Sequence, residues 1–233
     1  MKKDTQKFVK NMFESIAPTY DLLNRVLSLK QDEFWRKELV KSINFIEKIS
    51  ILDVAAGTAD IAIEIKKFNC ECKIIAIDFS LNMLKIAKKK INNLYSRNKI
   101  LLSAGDASRL PFKKNTFDVI TIAFGIRNIE NKEKVLKEFY NILKPEGQLL
   151  ILELTSPDKF WLKKLYMLYF MKILPIIGRF VSKSLYAYSY LPFSVINFPE
   201  PETFAQIMKS ANFKKIRWKR MSLGITTLFV GFK

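Results

Sequence analysis

Four short segments carry residue types that could hold a nucleoside. Asp53-Val54-Ala55-Ala56-Gly57-Thr58-Ala59-Asp60 sets an acid, a run of small residues and one glycine directly behind an apolar stretch. Small residues let a backbone approach a ligand closely, and a helix starting behind them offers unpaired N–H groups. A second apolar stretch ends at Asp78, about 20 residues on, where a carboxylate accepts from ribose hydroxyls. Gly105-Asp106-Ala107 follows a third, with Asp106 placed to accept from an adenine amino group. Phe124-Gly125-Ile126-Arg127-Asn128 follows a fourth. A single glycine in the first loop does not satisfy GxGxxG, the pattern a pyrophosphate demands. A nucleoside without phosphates, such as S-adenosylmethionine, needs no more glycine than this. The loop also reads as a tight strand-to-helix turn with no ligand.

Other chemistry is excluded by composition. The 233 residues include no His, so Ser-His-Asp and Cys-His arrangements and His-containing metal sites are ruled out. Cys70 and Cys72 have neither CxxC nor zinc spacing and read as free thiols of a reducing compartment. No metal is expected. Catalysis must then use carboxylates, Tyr, Arg, Lys, backbone groups or a reactive cofactor.

The elements that would position these residues follow from periodicity. Residues 5–17 and 32–49 are predicted helical, with Pro18–Asn24 between them. Strands are predicted at 51–55, 74–77, 100–103, 117–123 and 148–154, with 144–147 as a turn. Helices are predicted at about 60–68, 80–93 with Ser80 as N-cap, 132–143 and 202–211. Strands alternating with helices argue for a parallel sheet covered on both faces. Lys214–Met221 and Ile225–Phe232 read as a terminal strand pair around Leu223-Gly224. The fold class is therefore α/β: a Rossmann-like, mostly parallel seven-stranded sheet with an antiparallel C-terminal hairpin, of the class I methyltransferase type by fold analogy. The chain is expected to form a single domain over 1–233. Residues 1–49 are its N-terminal helical segment on the substrate side and 50–155 the cofactor-binding core. An aromatic lid at 156–204 is followed by a helix and hairpin at 205–233.

The net charge is +18, and residues 151–233 carry 13 basic against 4 acidic side chains. Nucleic acid, an anionic membrane surface, or A/T-rich codon bias (32 Lys against 8 Arg) each produce such a balance. The longest uncharged run, Ser184–Pro199, is too short and too polar for a ~20-residue span. No apolar segment follows Met1, so a cytoplasmic protein is expected, with room for peripheral contact at the inner face of a membrane. Residues 160–204 hold 12 of the 30 aromatics, interleaved with Lys163, Lys164, Lys172, Arg179 and Lys183. They read either as an ordinary apolar cover or as a lid over a long apolar ligand whose basic residues meet anionic headgroups.

Together these motifs resemble the class I S-adenosylmethionine-dependent methyltransferases. Within them the chain is similar to the UbiE/MenG family of menaquinone and ubiquinone C-methyltransferases. The resemblance covers essentially the whole chain. It rests on Tyr20-Asp21-Leu22-Leu23-Asn24-Arg25-Val26-Leu27-Ser28 with Trp35-Arg36, and on Leu110-Pro111-Phe112 and Phe124–Asn128. It continues through Leu143-Lys144-Pro145, Glu153, Tyr188-Ser189-Tyr190-Leu191 and Gly224-Ile225. It implies methyl transfer from S-adenosylmethionine to a ring carbon of a lipid-soluble polyprenylated quinol, demethylmenaquinol foremost. The alternatives are the ubiquinone precursor, an RNA methyltransferase, and a non-catalytic nucleoside-binding module. No nucleic acid partner is expected, and a homo-oligomer is compatible with the sequence. The candidate cofactor residues are Asp53, Gly57, Thr58, Asp78, Asp106, Ala107 and Ala123. Of these, Thr58, Asp78, Asp106 and Ala107 carry over from the resemblance. Ala56 and Ala59 stand where the family usually has Gly, and Ala123 where it often has Ser. Lys30-Gln31-Asp32 replaces its Gly-x-His stretch.

The candidate catalytic residues are Arg127, Asn128, Tyr20 and Asp21. A ring carbon becomes nucleophilic as its neighbouring hydroxyl becomes a phenolate. Arg127 can stabilise that oxygen, Asn128 can orient it, and Tyr20 or Asp21 can relay the proton. Each also has a structural reading. Arg127 can be a loop anchor paired with an acid, Tyr20 a core-edge aromatic and Asp21 a helix cap.

Overall fold

The computed structural model describes residues 2–94, 100–157, 159–169 and 185–233. Three helices, α1 (Lys2–Ile16), α2 (Tyr20–Leu27) and α3 (Gln31–Lys41), precede the sheet. The alternating part runs β1 (Ser50–Val54), α4 (Asp60–Phe68), β2 (Lys73–Asp78), α5 (Leu81–Leu94), β3 (Ile100–Ala104), β4 (Phe117–Ala123), α6 (Lys132–Ile142) and β5 (Leu143–Leu154). After it come α7 (Phe160–Leu168), α8 (Leu185–Ile196), α9 (Pro201–Ser210), β6 (Lys214–Met221) and β7 (Thr226–Phe232).

The seven strands lie in the order β3-β2-β1-β4-β5-β7-β6. β1 through β5 pair in parallel, and β7 runs antiparallel to both β5 and β6. The predicted Rossmann-like sheet with its terminal hairpin is what forms. β1 carries four consecutive buried apolar or acidic side chains, as expected of a central parallel strand covered on both faces. Along β5, Leu149 and Ile151 enter one core with Phe139, Phe204 and Met208 of α6 and α9. Leu150 and Leu152 enter the other, with Leu39, Ile65 and Ile91 of α3, α4 and α5. Strand order reverses between β1 and β4, so the carboxyl ends of these two strands open a crevice.

Three local departures have identifiable causes. The helix predicted to run to residue 49 stops at Lys41. There the Gln148 side chain accepts from the Asn44 N–H at 2.9 Å and donates to the Ser42 carbonyl at 2.7 Å. The segment Pro18–Asn24 is not a plain connection: after one 3-10 turn it begins α2. The predicted turn at 144–147 is a bulge inside β5, where pairing jumps from Phe117–Leu143 to Val119–Gln148.

The aromatic segment lies on α2. Leu23 and Val195 are buried together against Leu27, Leu154, Tyr166, Tyr169 and Leu191. The Tyr169 hydroxyl donates to the Leu27 carbonyl at 2.9 Å. Lys172, Arg179 and Lys183 lie outside the described residues. Among the described residues no helix is long and apolar enough to cross a membrane.

Candidate active site

The loop from β1 to α4 winds through three left-handed residues, Ala55 (φ 52°), Gly57 (φ 55°) and Ala59 (φ 65°). Gly57 adopts this conformation freely, whereas each alanine is disfavoured by about 1 kcal/mol. Asp78 at the end of β2 holds the loop: its Oδ2 accepts from the Gly57 N–H at 2.8 Å. Its Oδ1 accepts from the Ser80 N–H, also at 2.8 Å. Burial pushes the Asp78 carboxyl up, and those backbone donors pull against it. Gly125 passes so close to this loop that a Cβ there would lie 2.7 Å from the Ala55 Cβ.

A cavity of about 830 Å³ opens at these strand ends, lined by Gly57, Asp78, Phe79, Asp106, Ala107 and Ala123 among others. Asp106 is fixed by an Asx turn, its Oδ1 accepting from the Ser108 N–H at 2.8 Å. Behind the loop a recess of about 30 Å³ shares the walls Tyr20, Ala55, Gly57, Ala123 and Phe124, and adds Asp53, Thr58 and Arg36. Asp53 is 1% exposed. Its Oδ1 accepts from the Thr121 hydroxyl at 2.8 Å, but its Oδ2 has no partner. Burial pushes this carboxyl up to about 7. A buried carboxylate oxygen left without a donor is costly unless a cation or N–H arrives. Asp53 for an ammonium and Arg36 for a carboxylate suit the amino-acid end of S-adenosylmethionine, and the larger cavity suits its nucleoside. The residues present therefore fit that cofactor.

A second chamber of about 520 Å³ lies between the N-terminal helices and the aromatic segment, lined mainly by apolar groups such as Met12, Leu23, Trp35, Leu154 and Tyr166. Phe13, Tyr20 and Phe124 belong to both chambers and form the partition. Phe124 holds φ at 55°, a strained backbone for a bulky aromatic. Its ring packs 6.1 Å from that of Trp35 and beneath the Arg36 guanidinium at 5.7 Å. Burial and the neighbouring Asp78 raise the Tyr20 phenol, while an Asn24 hydrogen bond, Arg36 and Arg127 lower it; the net shift is upward. Tyr20 is therefore a neutral hydroxyl at pH 7.

Arg127 faces the apolar chamber. Its Nη1 donates to Glu153 Oε1 at 2.6 Å and to the Phe124 carbonyl at 2.5 Å, and its Nε to the Ser194 hydroxyl at 3.3 Å. Its backbone N–H donates to Glu153 Oε2 at 3.0 Å. The paired-anchor reading of Arg127 is thus satisfied on one edge of the guanidinium, while Nη2 carries no hydrogen bond among the described residues. Asn128 lines the nucleoside cavity instead, and its Oδ1 accepts from the Tyr190 hydroxyl at 3.0 Å.

Asp21 lines none of the three cavities. Its Oδ1 accepts from the Thr58 hydroxyl at 2.6 Å, and its Oδ2 pairs with Lys90 at 2.9 Å. It belongs to a charged cluster that sequence reasoning did not find. Arg25 pairs with Asp60 at 3.0 Å and with Glu33 at 2.8 Å. Arg36 reaches Asp60 at 3.5 Å, both arginines pair with Asp32, and Lys90 pairs with Asp60. Burial alone would raise Asp60, but Arg36, Lys90 and Arg25 hold it down at about 2. The cluster clamps α2 and α3 onto the first turn of α4. Its one local signal is the i,i+4 spacing of Asp32 and Arg36.

A family model described as the ubiE/COQ5 methyltransferase family matches residues 1–233. A ubiquinone/menaquinone biosynthesis C-methyltransferase UbiE of Geotalea daltonii is 42% identical over 226 residues, covering 97% of this chain and 96% of that relative. A demethylmenaquinone methyltransferase of Deinococcus radiodurans is 41% identical over 232 residues, covering 100% of this chain and 95% of that one. Among solved structures, a SAM-dependent methyltransferase of Thermotoga maritima superimposes with a TM-score of 0.68 at 20% identity, over 96% of this chain and 99% of that one. A phosphoethanolamine N-methyltransferase of Haemonchus contortus in complex with S-adenosyl-L-methionine gives 0.64 at 15% identity, over 85% of this chain and 52% of that one. The structural likenesses bear on the fold alone, but the match along the whole sequence goes further: this chain belongs to the ubiE/COQ5 methyltransferase family.

Proposed function

We propose that the protein is an S-adenosylmethionine-dependent C-methyltransferase acting on a polyprenylated quinol ring, with demethylmenaquinol as its substrate. The observation that carries the reading is the partition: a nucleoside-sized cavity and an apolar chamber share only a thin wall that includes Tyr20 and Phe124. The relatives named for quinone biosynthesis support the same substrate class.

Bound S-adenosylmethionine supplies a methyl group on a sulfonium, already an activated electrophile. Asp78 accepts from the ribose diol, Asp106 from the adenine amino group and Asp53 from the ammonium. Gly57, Ala107 and Ala123 let the backbone come close, and Thr58 braces the loop through Asp21. On the substrate side, Arg127 presents Nη2 to the ring oxygen that gains charge, lowering the pKa of that hydroxyl. Its proton passes to water, the adjacent carbon becomes nucleophilic, and after methyl transfer the proton on that carbon is lost and the oxygen is protonated again. Glu153 fixes the guanidinium plane, so little reorientation is needed during the reaction. Tyr20 stays protonated and donates toward the same oxygen, whereas Asn128, expected from the sequence to orient the ring hydroxyl, lies on the cofactor side of the partition, held by Tyr190. Asp21 serves the loop rather than the proton. The mainly apolar chamber suits a ring with a hydrocarbon tail far better than a nucleic acid base, so RNA is not part of this reading. The tail draws its carrier, a membrane surface, into peripheral contact.

Labelled methyl transfer to demethylmenaquinol and to the ubiquinol precursor, measured side by side, tests the proposal. Transfer to the first, at least tenfold faster than to the second, is expected. Cofactor binding without transfer to either quinol would overturn it in favour of a non-catalytic nucleoside-binding module.

A further inference from the structure

Two leucines stand out on the surface. Leu29 is 84% exposed and Leu223 70% exposed, more than the other large exposed apolar residues described. Both also hold left-handed backbone, φ 51° and 59°, where glycine or asparagine is at ease and leucine is not. Each position is therefore unfavourable twice, in hydration and in backbone energy. Both leucines border the same opening, that of the apolar chamber.

The opening is built rather than incidental. The loop that carries Leu223 is tied to the start of α3 by the Ser222 hydroxyl, which accepts from the Trp35 indole N–H at 2.8 Å and donates to Gln31 Oε1 at 3.1 Å. The two tips are thus held as a pair. Lys30, also exposed and left-handed, follows Leu29 directly. Trp161, 61% exposed, and exposed Lys163 flank Leu162, another lining residue of the chamber. Apolar tips, an interfacial tryptophan and lysines around one opening match a lipid surface with anionic headgroups. Two leucines and a tryptophan fall well short of the ~800 Å² per partner of a stable protein interface.

We propose that Leu29 and Leu223 are insertion tips that seat the mouth of the apolar chamber on an anionic bilayer. A hydrocarbon-tailed substrate then passes from the lipid into the chamber without crossing water. This deepens the quinol reading and rests on it for its purpose, but the docking itself is measured without any quinol.

The test uses sedimentation of the full chain with phosphatidylcholine vesicles, with and without a quarter of phosphatidylglycerol. Leu29→Asn and Leu223→Asn remove the apolar tip while suiting the left-handed backbone, so both variants fold. Each is expected to weaken partitioning to the anionic vesicles about tenfold, with affinity for S-adenosylhomocysteine unchanged. Lys30→Gln with Lys163→Gln is expected to weaken binding to the anionic vesicles only, and high salt to do the same. The proposal is overturned if the wild type ignores anionic vesicles at low salt or if the double leucine variant binds like wild type. It is also overturned if the leucine changes dissociate a dimer, which would make the rim an interface between copies. Methyl transfer to a short-tailed, water-soluble quinol separates the two readings. Turnover without vesicle binding sinks the docking surface alone, and vesicle binding with no turnover of any quinol sinks the substrate alone.

Discussion

Asp53 carries a stability cost and, in the proposed function, a binding role, and Asp53→Asn separates them. In the free protein its carboxyl is pushed up to about 7 from an ordinary 3.8, because burial disfavours the anion more than the Thr121 hydroxyl, the Ala62 N–H and Arg36 favour it. The folded state therefore keeps a proton that the unfolded chain releases. The contribution of Asp53 to stability is greatest below pH ~4, falls as pH rises toward about 7, and stays at the lower level above. That interval corresponds to a penalty on the order of 4 kcal/mol at pH 8. Asparagine keeps the acceptor for Thr121 but leaves an unpaired N–H, which returns ~1–3 kcal/mol of the gain. A net stabilisation of about 1–3 kcal/mol in urea titration at pH 8, turning into a destabilisation near pH 4 where only the cost of the unpaired amide remains, is expected. Binding runs the other way. An ammonium beside Asp53 favours the anion, so S-adenosylhomocysteine binding at pH 7 should release about half a proton more from wild type than from the variant. Calorimetry in buffers of different ionisation enthalpy reads this directly, and affinity should fall at least tenfold in the variant. Equal affinity and equal proton release in the two proteins would refute the assignment of Asp53 to the cofactor.

Three further outcomes are expected. Asp78→Ala should cost at least tenfold in cofactor affinity by calorimetry, and Asp78→Asn nearly as much, since the loss of the charged acceptor for the ribose diol outweighs loop support. Arg127→Ala should lower turnover by about 10²–10³ with cofactor affinity held within a few fold; because it strands the buried Glu153, the fold is checked with Arg127→Met/Glu153→Gln, which should melt near wild type and remain equally slow. Ala59→Gly should not weaken cofactor binding and should raise stability by up to ~1 kcal/mol in denaturant titration, because the left-handed backbone at that position suits glycine.

The strand ends were legible from the sequence because each apolar run stops at a small or acidic residue, as at Asp53, Asp78 and Ala123. Parallel order and the terminal hairpin follow from alternation and from the final strand pair. The end of α3 was not legible: it is set by Gln148, 104 positions beyond Asn44, and periodicity sees only neighbours. The charged cluster was hidden for the same reason. Asp21, Arg25, Asp32, Arg36, Asp60 and Lys90 sit on four different helices, and each alone resembles a solvated surface charge. Phe124 was read as part of a motif, but its role as the partition depends on a left-handed backbone that its residue type argues against. Of the structural readings left open, the one for Arg127 is apt, since it does pair with an acid, whereas Asp21 is not a helix cap: Thr19 precedes α2, and the Asp21 carboxylate bonds Thr58 and Lys90 instead.

The position of β7 has a consequence for how the molecule assembles during synthesis. β6 leaves the ribosome first yet has only β7 as a neighbour in the sheet, while β7 lies between β6 and β5. Until β7 arrives, β5 keeps an open hydrogen-bonding edge and β6 has no partner. Phe229 is likewise missing from the core around Phe204. The nascent chain therefore carries an unpaired central edge from the completion of β5 at Leu154 until β7 emerges, a state that recruits chaperones or pairs with other chains. Ribosome stalling or premature termination anywhere before Thr226 should consequently yield not a slightly shortened enzyme but an aggregation-prone chain.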